Sequence, residues 1–453
     1  MTMIQKVLIA NRGEIAVRII RACRELNIKT VAVYATVDRD SLHVKLADEA
    51  ICIGDHRLEN SYLNHNAILQ AAVNTQVQAI HPGFGFLSEN ADFVRACERV
   101  GITFIGPSAD LIDKMGDKQT ARETMIAAGV PIVPGSKGLI HDLAQAYQVA
   151  QEIGYPVLIK ATAGGGGKGM RVCYDASLLE DAFNQARQEA FNAFNNADVY
   201  IEKFVEGPRH IEIQILGDKH GNSVHLFERE CSVQRNNQKM IEEAPVQNLS
   251  SKTRKKLYDV ATKAAKQVQY VSAGTLEFIM DKDENFYFIE MNTRIQVEHP
   301  VTELITGVDI VKEQIRIAEG KPLSFKQSDL KTNGHAIEIR VNAEDPDQGF
   351  RPMAGTLNGL HFPGGNGVRI DSFVYQGYKI LPFYDSMIAK VIVHGSNRDE
   401  AMEKAIRCLE EIDLDGIKTN VDFQLEILLN QKFQDNVYDT TLVQTLLKGD
   451  KHV

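Results

Sequence analysis

The sequence predicts a multidomain chain of mixed α/β and α+β class, and three observations carry that prediction. Residues 6–40 alternate an apolar run at 7–10, a helical pattern (Ile15, Ile19, Ile20, Cys23, Leu26) and a second run at 30–34, the βαβ pattern of a doubly wound parallel sheet. Alternating runs at 199–205, 209–216, 275–280 and 286–290 read as further strands. From about residue 335 the pattern becomes α+β, with strands at 336–342 and 388–393 and helices over 398–410 and 421–430. A chain of 453 residues, 44% hydrophobic and 24% charged, suits roughly three domains. The breaks fall at 1–115, 116–334 and 335–453.

Composition narrows the function classes. A net charge of -10 argues against nucleic acid as a partner, because phosphate-backbone binding needs clustered Lys and Arg. The six cysteines lie without CxxC spacing, which predicts reduced thiols in a cytoplasmic protein rather than a disulfide framework or a zinc site. The N-terminal residues run directly into a strand pattern and no apolar run approaches about 18 residues, so neither a signal peptide nor a membrane span is expected.

In the first domain the turn Asn11-Arg12-Gly13-Glu14 lacks the G-x-G-x-x-G of a dinucleotide site. The later stretch 79–90 is a strand end followed by a glycine-rich loop, with positive φ expected at Gly83 and Gly85. Such loops, at the carboxyl ends of parallel strands, are where these sheets bind ligands.

The second domain opens near Gly116-Asp117-Lys118, with a helix expected around 141–152 and a strand at 155–160 ending in Lys160. Gly164 to Gly167 and Lys168 follow. Glycines without Cβ let backbone N–H groups close around an anion, and the bracketing lysines supply charge. The spacing is not Walker A: Thr162 stands five before Gly167, and Gly169 follows Lys168 where Ser or Thr is needed. A mobile, phosphate-covering flap is expected. A helix is predicted near 178–193, and in strand 209–216 His210, Glu212 and Gln214 share a face. A lone histidine there reads as structural by default. Residues 229–239 read as a dense polar loop with three cations, and 253–268 as an amphipathic helix turning Leu257, Val260, Ala261, Ala264 and Val268 inward.

Runs 275–280 and 286–290 flank a four-residue hairpin loop at 282–285, and pairing Asp281 with Phe286 sets Glu277 opposite Glu290. Facing carboxylates repel unless a cation sits between them, and two acids plus Asn292 suit Mg²⁺ or Mn²⁺. Read as extended chain, 290–300 puts Glu290, Asn292, Arg294, Gln296 and Glu298 on one side and Met291, Ile295 and Val297 on the other.

These motifs together carry a resemblance. Residues 6–16 (KVLIANRGEIA), 81–90 (HPGFGFLSEN), the glycine flap and, above all, 290–300 (EMNTRIQVEHP) resemble the biotin carboxylase family of ATP-grasp ligases, from about residue 5 to about 445. The resemblance implies an N-terminal doubly wound domain, an ATP-grasp domain with a mobile lid at about 131–205, and a C-terminal α+β domain. It implies that ATP and two Mg²⁺ or Mn²⁺ ions activate bicarbonate as carboxyphosphate, whose CO₂ passes to N1 of biotin. By matching position, Lys118, Lys160, Glu202, Lys203, His210, Gln234 and Asn237 would meet ATP, with Gly165 and Gly166 under its phosphates. Glu277, Glu290 and Asn292 would hold metal. Lys239, Arg294, Gln296 and the Val297 backbone would hold bicarbonate, with Glu298 as base. Arg340 would stabilise the biotin enolate, and Phe84 would border biotin.

Two positions depart from the commonest family pattern: Asn237 stands where histidine is frequent, and Phe84 where tyrosine is frequent. Asn keeps hydrogen bonding without charge, and Phe keeps the ring without the hydroxyl. The chain shows no Met-Lys-Met attachment site, so biotin is expected on a separate biotin carboxyl carrier protein. Carboxyltransferase subunits and a homodimer are further expectations, with acetyl-CoA carboxylase as the assembly.

Overall fold

The computed structural model describes residues 3–161, 170–194 and 198–449. The chain divides into two compact units, one of Met1–Val130, Arg209–Phe278 and Glu290–Val453, the other of Pro131–Pro208 and Ile279–Ile289.

The first unit begins with the parallel sheet that the βαβ pattern predicts: β1 (Lys6–Ile9), β2 (Lys29–Ala35), β3 (Glu49–Gly54), β4 (Ala79–His81) and β5 (Thr103–Phe104), in the order β3-β2-β1-β4-β5. Helix Gly13–Glu25 buries Ile15, Ile19, Ile20 and Cys23. Strand order reverses between β1 and β4, a topological switch point where such sheets form a crevice. The two turns that follow these strands meet there: Asn11 Nδ2 donates to the carbonyls of Pro82 and Phe84, each at 2.7 Å. Gly83 has φ +65°, and a Cβ on it would come within 3.0 Å of the Asn11 amide, so this turn needs glycine.

The second unit holds a small antiparallel sheet, β6 (Val157–Ala161), β7 (Met170–Cys173) and β8 (Val199–Lys203), in the order β7-β6-β8. Helices Leu143–Ile153 and Leu179–Phe194 belong to it, and its core includes Val157, Ile159, Cys173, Phe183, Val199 and Ile201. The glycine flap, with Gly165 and Gly166, lies outside the described residues.

An eight-stranded sheet follows: β9 (Arg209–Gly217), β10 (Ser223–Arg235), β11 (Gln238–Ala244), β12 (Ser272–Met280), β13 (Phe286–Asn292), β14 (His335–Asn342), β15 (Val368–Ser372) and β16 (Met387–Gly395). Their order is β13-β12-β9-β10-β11-β14-β16-β15. The C-terminal strands thus extend the same sheet, and helix Arg398–Glu411 buries Ala401, Met402, Ala405 and Leu409 in a shared core.

Three expectations need correction. Residues 229–239 are not a polar loop but the body of the β10–β11 hairpin, closed by Asn236 and Asn237 at φ +51° and +64°. Asparagine tolerates this left-handed pair, as two-residue hairpin turns demand. The β12–β13 loop closes one residue earlier than expected: Asp281 N–H donates to Asn285 O at 2.9 Å, with Glu284 at φ +60°. Further along β13, Ile289 and Glu290 are both exposed, breaking strict alternation. Finally, 290–300 is not one strand. It stops at Asn292, turns at Val297–Glu298 and enters helix His299–Thr306.

Candidate active site

Within the first unit, strands β9 to β14 and the segment after β13 bring together most of the polar residues singled out by sequence. His210 and Glu212 on β9, Arg229 on β10, Lys239 on β11 and Glu277 on β12 come from neighbouring strands of one sheet and point to a common centre.

Glu298 is buried in the turn before helix His299–Thr306 and is gripped from two sides. Lys239 Nζ donates to its Oε1 at 2.6 Å and Arg340 Nη2 to its Oε2 at 2.9 Å. Burial alone would favour the neutral acid, but Lys239 and Arg340 hold the carboxyl below the usual range despite the repulsion of Glu212. Lys239 also contacts Glu212, and reaches Glu277 Oε1 at 3.2 Å. These carboxylates outweigh burial and keep its ammonium charged.

Glu277 accepts from Asn292 Nδ2 at 2.7 Å and from Gln296 Nε2 at 2.6 Å, while His210 Nε2 lies 2.9 Å from its other oxygen. Burial by itself would lower the His210 pKa; Glu212 and Glu277 overcome it and lift the ring to about 9. The Gln234 side-chain amide lies 2.9 Å from His210 Nδ1, on the other side of the ring from Glu277. The default structural reading of His210 therefore gives way to membership of the charged centre.

The amide of Asn292 stands between two acids, 2.7 Å from Glu277 and 3.5 Å from Glu290. Loss of water around its carboxyl, then the charge of Glu277, raise the Glu290 pKa. Two acids that share one amide donor offer hard oxygen ligands, and a divalent cation would relieve their repulsion. Glu277, Glu290 and Asn292 thus fit Mg²⁺ or Mn²⁺, although the hairpin that joins the two acids closes one residue earlier than expected.

Arg294 donates through Nη2 to Asn292 Oδ1 and through Nε to Glu89 Oε2, both at 2.8 Å. Glu89 also accepts from Thr293 N at 2.9 Å. It sits in the glycine loop after β4, so the two strongest sequence motifs meet through this acid. Sequence reasoning missed Glu89, although it stands inside a quoted motif. It also missed Arg229, which donates to Glu212, Gln214 and Gln296, and Glu242, which accepts from Arg340 Nε at 2.7 Å.

Other candidates lie elsewhere. Phe84 is in the loop at the switch point, partly buried. Asn237 is exposed at the hairpin turn, and Lys118 is exposed at the start of helix Lys118–Ala127. In the second unit, Lys160 pairs with Glu202, and Lys203 Nζ donates to the carbonyls of Gly154 and Tyr155 at 3.0 and 2.8 Å.

Comparison with known proteins agrees with this arrangement. Residues 3–112 match the biotin carboxylase N-terminal domain, 117–326 the ATP-binding domain of the carbamoyl-phosphate synthase L chain, and 338–445 the biotin carboxylase C-terminal domain. Biotin carboxylase 1 of Bacillus subtilis is 56% identical over 444 residues, 98% of this chain and 99% of that protein. The biotin carboxylase domain dimer of Hydrogenobacter thermophilus 2-oxoglutarate carboxylase, solved with MgADP, ADP and bicarbonate, superposes with a TM-score of 0.88 at 50% identity, covering 98% of each chain. The biotin carboxylase subunit of pyruvate carboxylase gives a TM-score of 0.91 at 51% identity, covering 98% of this chain and 99% of that one. Identity at this level along nearly the whole length, with family models matching all three regions, makes the chain a member of the biotin carboxylase family, an ATP-dependent carbon–nitrogen ligase.

Proposed function

We propose that the chain performs the first half-reaction of acetyl-CoA carboxylase, using ATP and bicarbonate to carboxylate biotin presented on a separate biotin carboxyl carrier protein. The observation that carries the reading is the convergence of Lys239 and Arg340 on the buried carboxylate of Glu298, with Arg294 and Gln296 beside it in the same turn.

Arg294 offers a planar fork that matches a carboxylate-like anion, and Lys239 a mobile point charge. Together they orient bicarbonate against Glu298. Glu298 is ionised and able to take the bicarbonate proton, which makes a poor nucleophile competent. An anion seated beside it competes for Lys239 and adds its own negative charge, so the basicity of Glu298 rises as the reactant arrives. Glu277, Glu290 and Asn292 would hold the metal, and Mg²⁺ or Mn²⁺ bound there would neutralise charge on the phosphoryl oxygens. Arg340, freed from Glu298 once that group is protonated, is left to steady negative charge on the biotin ureido oxygen.

The carrier protein, carboxyltransferase subunits, a homodimeric state and a cytoplasmic setting belong to the same proposal, as does the division at about residues 115 and 334. No helix among the described residues is long and apolar enough to cross a membrane. The test is ADP formation by the purified chain. It is expected to require bicarbonate and to rise with free biotin, and label from bicarbonate is expected on the biotinylated carrier of an acetyl-CoA carboxylase. Biotin-independent turnover with ammonia as acceptor would overturn the reading in favour of a carbamoyl-phosphate-forming ligase.

A further inference from the structure

We propose that Lys390 is a positioning residue for bicarbonate activation, fastening the Val297 carbonyl so that Glu298 faces its reactant. Lys390 and Arg340 are direct partners across β14 and β16. Two cations opposite one another in a sheet repel, so the pair needs a reason to exist. They reach consecutive residues of one turn: Lys390 Nζ donates to Val297 O at 2.8 Å, and Arg340 Nη2 donates to Glu298 Oε2 at 2.9 Å. One cation fixes the backbone just before the base and the other fixes its carboxylate.

The turn depends on such bonds. β13 stops at Asn292 and the next helix starts at His299, so residues 293–298 have no strand ladder to set their course. Lys390 is 0% exposed; besides Val297 it has Glu14 Oε1 at 3.1 Å and Asp371 Oδ2 at 4.0 Å, and it feels the charge of the fully buried Glu338. Taking an ammonium fully out of water costs several kcal/mol, and an apolar side chain of the same length would pack at lower cost. A buried lysine whose hydrogen bond ends on the backbone beside the base is accounted for by what it positions. The rival account is that Lys390 serves only as the counter-ion of the buried acids Glu14, Glu338 and Asp371.

The inference rests on Glu298 acting at the bicarbonate end of the site, and its test separates the two failures. In the native chain, ADP formation independent of bicarbonate would sink the functional reading itself. If bicarbonate is required, Glu14→Gln, Lys390→Met and the charge-balanced pair Lys390→Met/Glu14→Gln are compared by steady-state kinetics and thermal melting. The charge-balanced pair is expected to melt close to the native chain. It is expected to lose about tenfold to a hundredfold in kcat/KM for bicarbonate, with the KM for ATP within about twofold, as a misplaced base requires. Glu14→Gln alone, which keeps the bond to Val297, is expected to stay within about twofold throughout. Native bicarbonate kinetics in the pair, an equal loss in Glu14→Gln alone, or a pair too unstable to assay would each overturn the proposal, since each makes Lys390 a structural counter-ion.

Discussion

Arg229 Nη2 donates to Gln296 Oε1 across 2.7 Å, joining β10 to the turn that carries the bicarbonate candidates. The same guanidinium, 0% exposed, donates to Glu212 Oε2 at 3.0 Å, Gln214 Oε1 at 2.7 Å, Thr275 Oγ1 at 3.2 Å and Thr302 Oγ1 at 3.1 Å. Arg229→Met is expected to destabilise the chain by about 3–5 kcal/mol, because it strands a buried carboxylate without its counter-charge. Arg229→Lys should recover little of this, as a single ammonium cannot serve acceptors spread around a planar fork. Denaturant unfolding measures both; native stability in Arg229→Met would remove the guanidinium from the fold's support.

Glu298→Gln keeps the shape of the base and removes its proton affinity. Turnover is expected to fall by about 10²–10⁴-fold, the usual contribution of a positioned base, with ATP affinity little changed. Arg294→Ala should act chiefly on bicarbonate, since its partners are Glu89 and Asn292. Steady-state rates combined with nucleotide-binding titration check both, and near-native carboxylation in either variant removes that residue from the mechanism.

Glu290 shares Asn292 with Glu277, and its pKa is raised by loss of water and by that neighbour's charge. Glu290→Gln is expected to raise the Mg²⁺ concentration needed for half-maximal ADP formation by about tenfold or more. Chelation should abolish turnover in the native chain, and Mn²⁺ should restore it. A magnesium titration identical to the native one would exclude Glu290 as a ligand.

His43, in the short helix Leu42–Leu46, is fully buried with Nε2 3.3 Å from Val33 O of the first sheet, and burial lowers its pKa from 6.5 to about 4 despite the nearby charge of Asp38. The unfolded chain therefore takes up this proton at higher pH than the folded one. The stability contribution is intact above pH 6.5, falls by about 1.4 kcal/mol per unit as pH drops toward 4, and is flat below. His43→Gln should melt lower at neutral pH yet show a shallower loss between pH 6.5 and 4. Parallel melting curves for the two chains across that window would contradict the assignment.

Much of this site was legible in one dimension. Alternation along 275–280 and 286–290 marked strands, and the acids Glu277 and Glu290 announced a cation even though the turn between them closes one residue earlier than expected. The helical period at 251–267 turned Leu257, Ala261 and Ala264 inward as expected, while Val260 and Val268 are only half-buried. By contrast, the charged run 229–239 looked like solvated loop because pattern rules assume that charge stays in water. It is strand because Glu212, Gln214, Thr275, Gln296 and Thr302, drawn from other segments, supply Arg229 with acceptors.

The sequence by itself determined the fold class, the family and the residue types of the centre, because periodicity and a dense motif such as 290–300 are local properties of the chain. Only the tertiary structure decided which charges are buried and whom they serve. It ended the strand at Asn292, placed Glu89 on Arg294, and brought Lys390 from β16 to the Val297 carbonyl. The physical reason is that a buried charge is tolerated only where partners meet it, and those partners lie here as far apart along the chain as Lys390 and Glu14.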